Sequence, residues 1–466
     1  MNNDAYIKTW NQTYLQAPDT LDRMGVINRV ACAFNTCIDS VVKISGYELS
    51  DMIKQEKLSL KKLTSIKEHT LSNGADLLKA VFRCFCDGIA EEWIAKDKSF
   101  YDWMMQHFGT DRVQMGGQAG IIANTLSLTH ARKIIVHSNA LSDLQSEQFF
   151  DNINLLSFTK DGELKQVSRI SRDENSSIHW IIEFDKGDVI EVDGKEFTCP
   201  KSNRFIATYD PPLFNFEVDE NFLKYTYEHK FDYFILSGFQ ALSSEMGGLE
   251  HIDRAVEIIK KWKEVSPIST VHLEIASTQD LKIREAIATK LIPIVDSLGL
   301  NEREAMDILE VIGEKNLFKQ CQTSADVINL FQAAMTIKNT LKPKRIQLHM
   351  FGIYITIQDH YYPISPRASV RGMVLASVAA ASKAKEGGLL YSQDILSAHG
   401  YSVSEIGINQ LKNLSDFLKD DNLLWEGLTR YQGFDIMAVP TIIIDQPQSL
   451  VGMGDTISAF SLLGSR

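Results

Sequence analysis

The pattern of apolar and polar positions changes character along the chain, and each change predicts a different kind of element. Residues 27–34 (Ile-Asn-Arg-Val-Ala-Cys-Ala-Phe) predict a short buried strand running into a turn at Asn35-Thr36. Residues 50–108 are charged and helical in pattern, with apolar residues at three- and four-residue steps over 75–85. From Met115 the sequence Met-Gly-Gly-Gln-Ala-Gly predicts a glycine turn feeding a small-residue helix, and 133–137 reads as a buried strand. Between 165 and 208 polarity alternates, notably over 178–184 and 189–197, around Asp-Lys-Gly and Asp-Gly-Lys turns. These are hairpin signals and predict a small antiparallel sheet with one exposed face. Beyond about residue 230, buried strands at 233–236, 270–275, 292–295, 345–350 and 353–357 alternate with helices at 252–265, 280–290, 303–312 and 324–341. Such alternation implies βαβ units and a mostly parallel sheet. The expected fold class is α/β: a large domain with helices flanking that sheet, carrying a small α+β domain.

Length decides how the two are joined. A chain of 466 residues exceeds the ~250–300 at which one core stops growing, yet no linker or repeat divides it. The small domain is therefore expected as a discontinuous insertion, 41–110 and 160–210, within a large domain of 1–40, 111–159 and 211–466. Forty-eight Lys and Arg against sixty Asp and Glu give a net charge of −12, with no basic run, which argues against a nucleic-acid partner. The six cysteines (Cys32, Cys37, Cys84, Cys86, Cys199, Cys321) have no CxxC spacing and read as reduced core thiols. Met1-Asn2-Asn3-Asp4 is unlike a secretory leader, and apolar stretches such as 374–381 fall far short of the ~20 residues that span a bilayer. No membrane association and a cytoplasmic location are expected.

The most informative segment is Gly452-Met453-Gly454-Asp455, followed by small residues of helical character. Glycines let the backbone approach a ligand, and a helix N-terminus favours an anion. Asp455 reads either as a helix cap or as a base beside that anion. Two further acids stand out. Glu274 ends the strand around Val271-His272-Leu273, where ligand sites of open α/β sheets lie. Glu304 follows Asn301 by three residues, placed either to coordinate a cation or to complete a capping box.

Taken in order, several motifs resemble one family. They are Asn35-Thr36-Cys37-Ile38-Asp39, Met115–Gly120, Arg204-Phe205-Ile206, Leu236–Gln240, His272–Glu274, Asn301–Glu304, Arg345–Gly352 and Gly452–Asp455. The sequence resembles the ADP-dependent phosphofructokinases and glucokinases, a branch of the ribokinase-like sugar kinases, and is closest in kind to methanogenic archaeal members. The resemblance implies Mg²⁺, or another divalent cation, positioned by Glu274 and Glu304 with Asp455 nearby. It also implies a phosphoryl-binding loop at Gly452 and Gly454, with Asp455 as the base that deprotonates the sugar hydroxyl.

For the sugar, the resemblance implies contacts from Asn35, Asp39, Gly116 and Gly117, with Cys37 standing where the family usually has Asn. Lys186 and Arg204 match residues that bind a 6-phosphate, and Glu92 falls where members accepting glucose carry a glutamate. Asn301 and Gly454 are implied at the nucleotide, with His349 and Ile444 matching its adenine pocket. The expected reaction moves the β-phosphoryl of ADP to the 1-hydroxyl of fructose 6-phosphate, leaving AMP, with glucose open as a second substrate. A dedicated ADP-dependent glucokinase and a non-catalytic sugar- or nucleotide-binding regulator are the alternatives. Nothing in the sequence separates a monomer from a dimer.

Overall fold

The computed structural model describes residues 3–65, 70–95, 97–109, 112–138, 140–172 and 174–466. Two sheets, each with its own apolar core, organise them. The larger has 11 strands in the order Leu428–Tyr431, Phe434–Pro440, Ile353–Asp359, Arg345–Met350, Ser297–Leu300, Thr270–Glu274, Tyr233–Leu236, Val30–Ala33, Ile134–Val136, Leu155–Phe158 and Leu164–Gln166. Its central six pairings are parallel, and four antiparallel pairings finish the two edges. Central strands such as Tyr233–Leu236 are buried at every position, because helices must cover both faces of a parallel sheet. The helix Gly248–Val265 shows how: Ile252, Ala255, Ile259 and Trp262 recur on one stripe. Trp262 stacks on Phe234 with centroids 4.5 Å apart and donates its indole N–H to Thr226 Oγ1 at 2.8 Å. Removing a fully buried ring of this size costs about 3–5 kcal/mol.

The smaller sheet orders Thr70–Leu71, Glu91–Ala95, Asn203–Tyr209, Ile178–Phe184, Cys37–Lys43 and Val113–Gly116. Alternation puts Ile178, Trp180, Ile182 and Phe184 into a core shared with the helix Gly74–Asp87. It sends His179, Ile181 and Glu183 to the other face. On Asn203–Tyr209 the same rule turns Phe205 and Ala207 into the core and Arg204, Ile206 and Thr208 to the opposite face, where Thr208 is nonetheless buried.

Several expectations are corrected. Residues 292–295 form a 3₁₀ turn rather than a strand, because Pro293 cannot donate to a ladder. The strand is instead Ser297–Leu300. Gly299 is there for space, since a Cβ would lie within 1.9 Å of Glu274 Oε2. The strand Phe434–Pro440 stops short of Ile444, which lies in irregular chain.

The Asp-Lys-Gly at 185–187 closes no hairpin. Only Asp193-Gly194 does, between Val189–Val192 and Lys195–Thr198, with φ of +52° and +71° as a type I′ turn requires. The small sheet is mixed, with three parallel and two antiparallel pairings. Its strands come from distant parts of the chain, which no local turn signal reveals.

The domain limits shift for the same reason. Residues 37–40 and 113–116, expected in the large domain, pair in the small sheet. Leu164–Gln166, Val167 and Ile170, expected in the small domain, belong to the large sheet and core. The expected limit at 110/111 lies outside the described residues. All six cysteines are free, five of them buried. Among the described residues no helix is long and apolar enough to cross a membrane.

Candidate active site

The closing helix Met453–Leu463 begins at Gly452, whose φ of +63° turns the chain sharply into the first turn. No side chain caps this helix start, so its leading N–H groups are open to a ligand. Asp455, in that first turn, is buried. Burial pushes its carboxyl up to about 6, while Lys383 and a hydrogen bond with Gln118 restrain the rise. The Lys383 ammonium donates to Gly452 O and to Thr456 Oγ1, both at 3.1 Å, and burial pulls it down to about 8. Close helix packing delivers this lysine. A Cβ on Gly372 would meet Ser461 O at 2.3 Å, so the glycine lets Pro366–Glu386 lie against the closing helix.

Glu274 ends a central strand and is held by a directional chain of hydrogen bonds. Arg345 Nη1 donates to Ser297 Oγ at 2.9 Å, so the Ser297 hydroxyl gives its proton to His272 Nδ1, 2.9 Å away. His272 Nε2–H then faces Glu274 Oε2 at 3.2 Å, and Ser458 Oγ donates to the same oxygen at 2.5 Å. Burial pulls His272 down to about 3, which keeps the neutral form this chain requires. One oxygen of Glu274 is therefore fixed, while Oε1 lies 3.8 Å from His349 Nε2. Burial, and the charges of Glu304 and Asp455, raise the Glu274 pKa well above the carboxylate range.

Glu304 makes the capping box: its Oε2 accepts Asn301 N–H at 2.8 Å, while Asn301 Oδ1 caps Arg303 and Glu304 N–H. The structural reading is thus realised, yet Glu304 is also buried and pushed up to about 8, despite that hydrogen bond. Three buried carboxylates repelling one another carry an unmet demand for positive charge, which fits a divalent cation. Their donor atoms are not gathered within 4.8 Å of one another. That spread suits a strongly hydrated ion held through its waters.

Opposite this corner lies the open face of the small sheet. Register sets Asp39 across from Gln114 and His179, His179 across from Thr208, Glu92 across from Ile206, and Arg204 across from Glu183. Burial raises the Asp39 pKa, and the charge of Asp39 in turn raises that of Asp455, so the two acids belong to one cleft. Glycines make room between them: a Cβ on Gly116 would lie 2.2 Å from Asp39 Oδ1, and one on Gly117 (φ +73°) 2.6 Å from Asn35 O. Asn35 Oδ1 is buried with no hydrogen-bond partner and stands ready to accept one. Glu92 Oε1 accepts Thr208 Oγ1–H at 2.6 Å.

The sequence profile described as the ADP-specific phosphofructokinase/glucokinase conserved region matches residues 28–464. The chain belongs to this family. An ADP-dependent glucose/glucosamine kinase of Pyrococcus furiosus is 31% identical over 98% of both chains. An ADP-specific phosphofructokinase of Methanosarcina acetivorans is 26% identical over 97% of this chain and 96% of its own. Among solved structures, the last common ancestor of ADP-dependent phosphofructokinases from Methanosarcinales superposes with a TM-score of 0.86, at 28% identity over 100% of this chain and 99% of its own. An ADP-dependent kinase in complex with fructose 6-phosphate and ADPβS gives 0.82, at 28% identity over 100% and 98%.

In this family member the predicted residues fall into three groups, with Ile444 apart from them. Asp455, Gly452, Gly454, Glu274, Glu304, Asn301 and His349 gather at the sheet corner, where a Cβ on Gly454 would lie 3.0 Å from His349 Nε2. Asn35, Asp39, Gly116, Gly117 and Glu92 gather between that corner and the small sheet. Lys186 and Arg204 are exposed at one end of the paired strands Ile178–Phe184 and Asn203–Tyr209. Ile444 packs, half-buried, at the margin of the large core.

Lys383, Gln118, His179 and Ser458 were not found from sequence. Lys383 sits in an alanine-rich helix, and only the Gly372 contact shows which way it points. Gln118 was visible in the Met-Gly-Gly-Gln motif, but its tie to Asp455 crosses more than 300 residues. His179 has a signal in hindsight, as a lone polar aromatic on the open face of an alternating strand.

Proposed function

We propose that the protein is an ADP-dependent sugar kinase that moves the β-phosphoryl group of ADP to the 1-hydroxyl of fructose 6-phosphate, leaving AMP. The observation that carries the reading is the buried Asp455 at an uncapped helix N-terminus, facing the polar sheet across the cleft. Phosphoryl transfer demands an anion cradle, an in-line hydroxyl and a base, and little covalent chemistry besides. The open N–H groups at Gly452–Asp455 supply the cradle, reinforced by Lys383. Asp455 takes the proton of the attacking hydroxyl, and its raised pKa brings it nearer the operating pH. Asn35 and Asp39, with backbone close to Gly116 and Gly117, orient the sugar. Glu274 and Glu304, with Asp455 nearby, would hold a hydrated Mg²⁺, which supplies charge neutralisation to the phosphates when bound. His349, against Gly454 and Glu274, belongs with the phosphate end of the nucleotide rather than its base.

Arg204 and Lys186 favour a phosphorylated sugar. Both project from the same end of the open sheet, and among the described residues neither is in an ion pair, so both are free for a phosphate dianion. Glu92, fixed by Thr208 on the same face, supports glucose as a second acceptor, because a carboxylate suits an uncharged sugar hydroxyl and repels a phosphate. Incubating the protein with Mg²⁺, ADP and either sugar, and measuring AMP and sugar phosphate, tests the reading. The expected result is AMP formation dependent on sugar, with higher kcat/KM for fructose 6-phosphate. No AMP with either sugar would leave a non-catalytic binding protein.

A further inference from the structure

The small sheet carries a second constellation, of which the proposed kinase reaction uses only Asp39. Cys37 and Asp39 stand two residues apart on the same strand, and register places His179 directly across from Asp39. Cys37 Sγ lies 3.7 Å from His179 Nδ1 and 3.9 Å from Asp39 Oδ1, and all three donor atoms fall within 4.8 Å of one another. Among the described residues this is the one trio of His, Cys and acidic side chains gathered so closely. We propose that Cys37, Asp39 and His179 form a binding site for a borderline-soft divalent cation such as Zn²⁺, and that its occupancy blocks the sugar pocket.

Geometry fits that ion. Zn–S near 2.3 Å and Zn–N near 2.0 Å at a tetrahedral angle separate sulfur and nitrogen by about 3.5 Å, against the 3.7 Å found. One sulfur, one nitrogen and one oxygen ligand suit zinc, whereas magnesium prefers an octahedron of oxygens. Three protein ligands leave a fourth position open toward the cleft, and coordination displaces the thiol proton into solvent.

A second observation comes from behind the histidine. His179 Nε2 lies 3.8 Å from Asp210 Oδ2, and neither atom has a hydrogen-bond partner. Asp210 is wholly buried, its other oxygen anchored by Ser177 Oγ at 2.7 Å and Leu213 N–H at 3.2 Å. A carboxylate there draws the ring proton to Nε2 and turns the Nδ1 lone pair toward Cys37, the tautomer that a metal ligand needs. All three ligands ride on paired strands, so the site needs no loop to order. Gly116 keeps the space clear, since a Cβ there would lie 2.2 Å from Asp39 Oδ1 and 2.8 Å from Cys37 Sγ. The blocking half rests on Asp39 being a sugar contact; the metal site itself does not.

Titrating Co²⁺ into the full-length protein, without nucleotide or Mg²⁺, reads the site through the thiolate-to-cobalt charge-transfer absorption. One equivalent should produce the band, Zn²⁺ should displace it, and Cys37→Ser should abolish it. Asp210→Asn should weaken Co²⁺ binding by about 10–100-fold. Saturating fructose 6-phosphate or glucose should suppress the band in the unaltered protein. No band, or one that survives Cys37→Ser, would overturn the site. If Cys37→Ser fails to fold, Asp210→Asn decides the site, an unchanged cobalt affinity overturning it, and a band indifferent to both sugars overturns the blocking half. AMP formation is measured separately, so loss of the kinase reading would leave the cobalt result standing on its own.

Discussion

The two walls of the cleft are built on opposite principles. At the corner of the large sheet, Asp455, Glu274 and Glu304 are buried and Lys383 is half-buried. Asp455, Glu274 and Lys383 are held by groups from other elements, while Glu304 is held by its own helix cap. Across from it, the small sheet offers a flat row of side chains, of which Arg204, Lys186 and Glu92 are exposed. The corner stores electrostatic strain: three acids and a lysine sit away from their ordinary pKa values because water has been removed. At the outer end of the sheet Arg204, Lys186 and Glu92 stay exposed, whereas Asp39, which faces Asp455, is buried and its pKa is raised. Chemistry needs preorganised charge in a dry place, whereas choosing among sugars needs only a few groups at the right spacing.

That contrast predicts a ranking of effects. Asp455→Asn removes the proposed base and should lower kcat by about 10²–10⁴-fold, with ADP affinity by calorimetry within a few-fold of the original. A small kcat loss would mean that the corner is not the reacting end. Lys383→Met should act through Asp455. The base works only when deprotonated, so activity falls as the pH drops through its pKa, about 6. Lys383 is a charge that lowers that pKa, so its removal should move the acid limb of the kcat profile to higher pH. A limb that stays in place would detach Lys383 from the base. On the other wall, Arg204→Ala should reduce kcat/KM for fructose 6-phosphate by about 10–100-fold, the weight of a lost charge-assisted contact, and leave glucose nearly untouched. Equal losses on both sugars would make Arg204 a structural residue.

How much of this was legible in the sequence follows the range of each interaction. Gly452–Asp455 was legible because a helix start, its glycines and its acid are neighbours in the chain. Asn301 with Glu304 was legible for the same reason, although the sequence left capping and ion binding as alternatives, and the structure shows the cap made by a residue that is also buried in the cleft. His272 was noted only as part of a motif. Its work, passing a hydrogen bond from Ser297 to Glu274, depends on three parallel strands lying in register. The antiparallel small sheet was a misreading, because turn signals report local reversals, whereas the parallel pairings of Cys37–Lys43 with Ile178–Phe184 and of Glu91–Ala95 with Asn203–Tyr209 join segments more than a hundred residues apart.

The sequence by itself determined the α/β alternation, the two-core organisation and the family, through apolar periodicity and ordered motifs that survive without knowledge of any contact. Only the tertiary structure decided where the domains divide, which lysine attends Asp455, and that a thiol, a carboxylate and an imidazole share one patch of sheet. Periodicity fixes which face of an element is buried. It carries no information on which distant element will cover that face, and the charges of this cleft acquire their meaning from that partner.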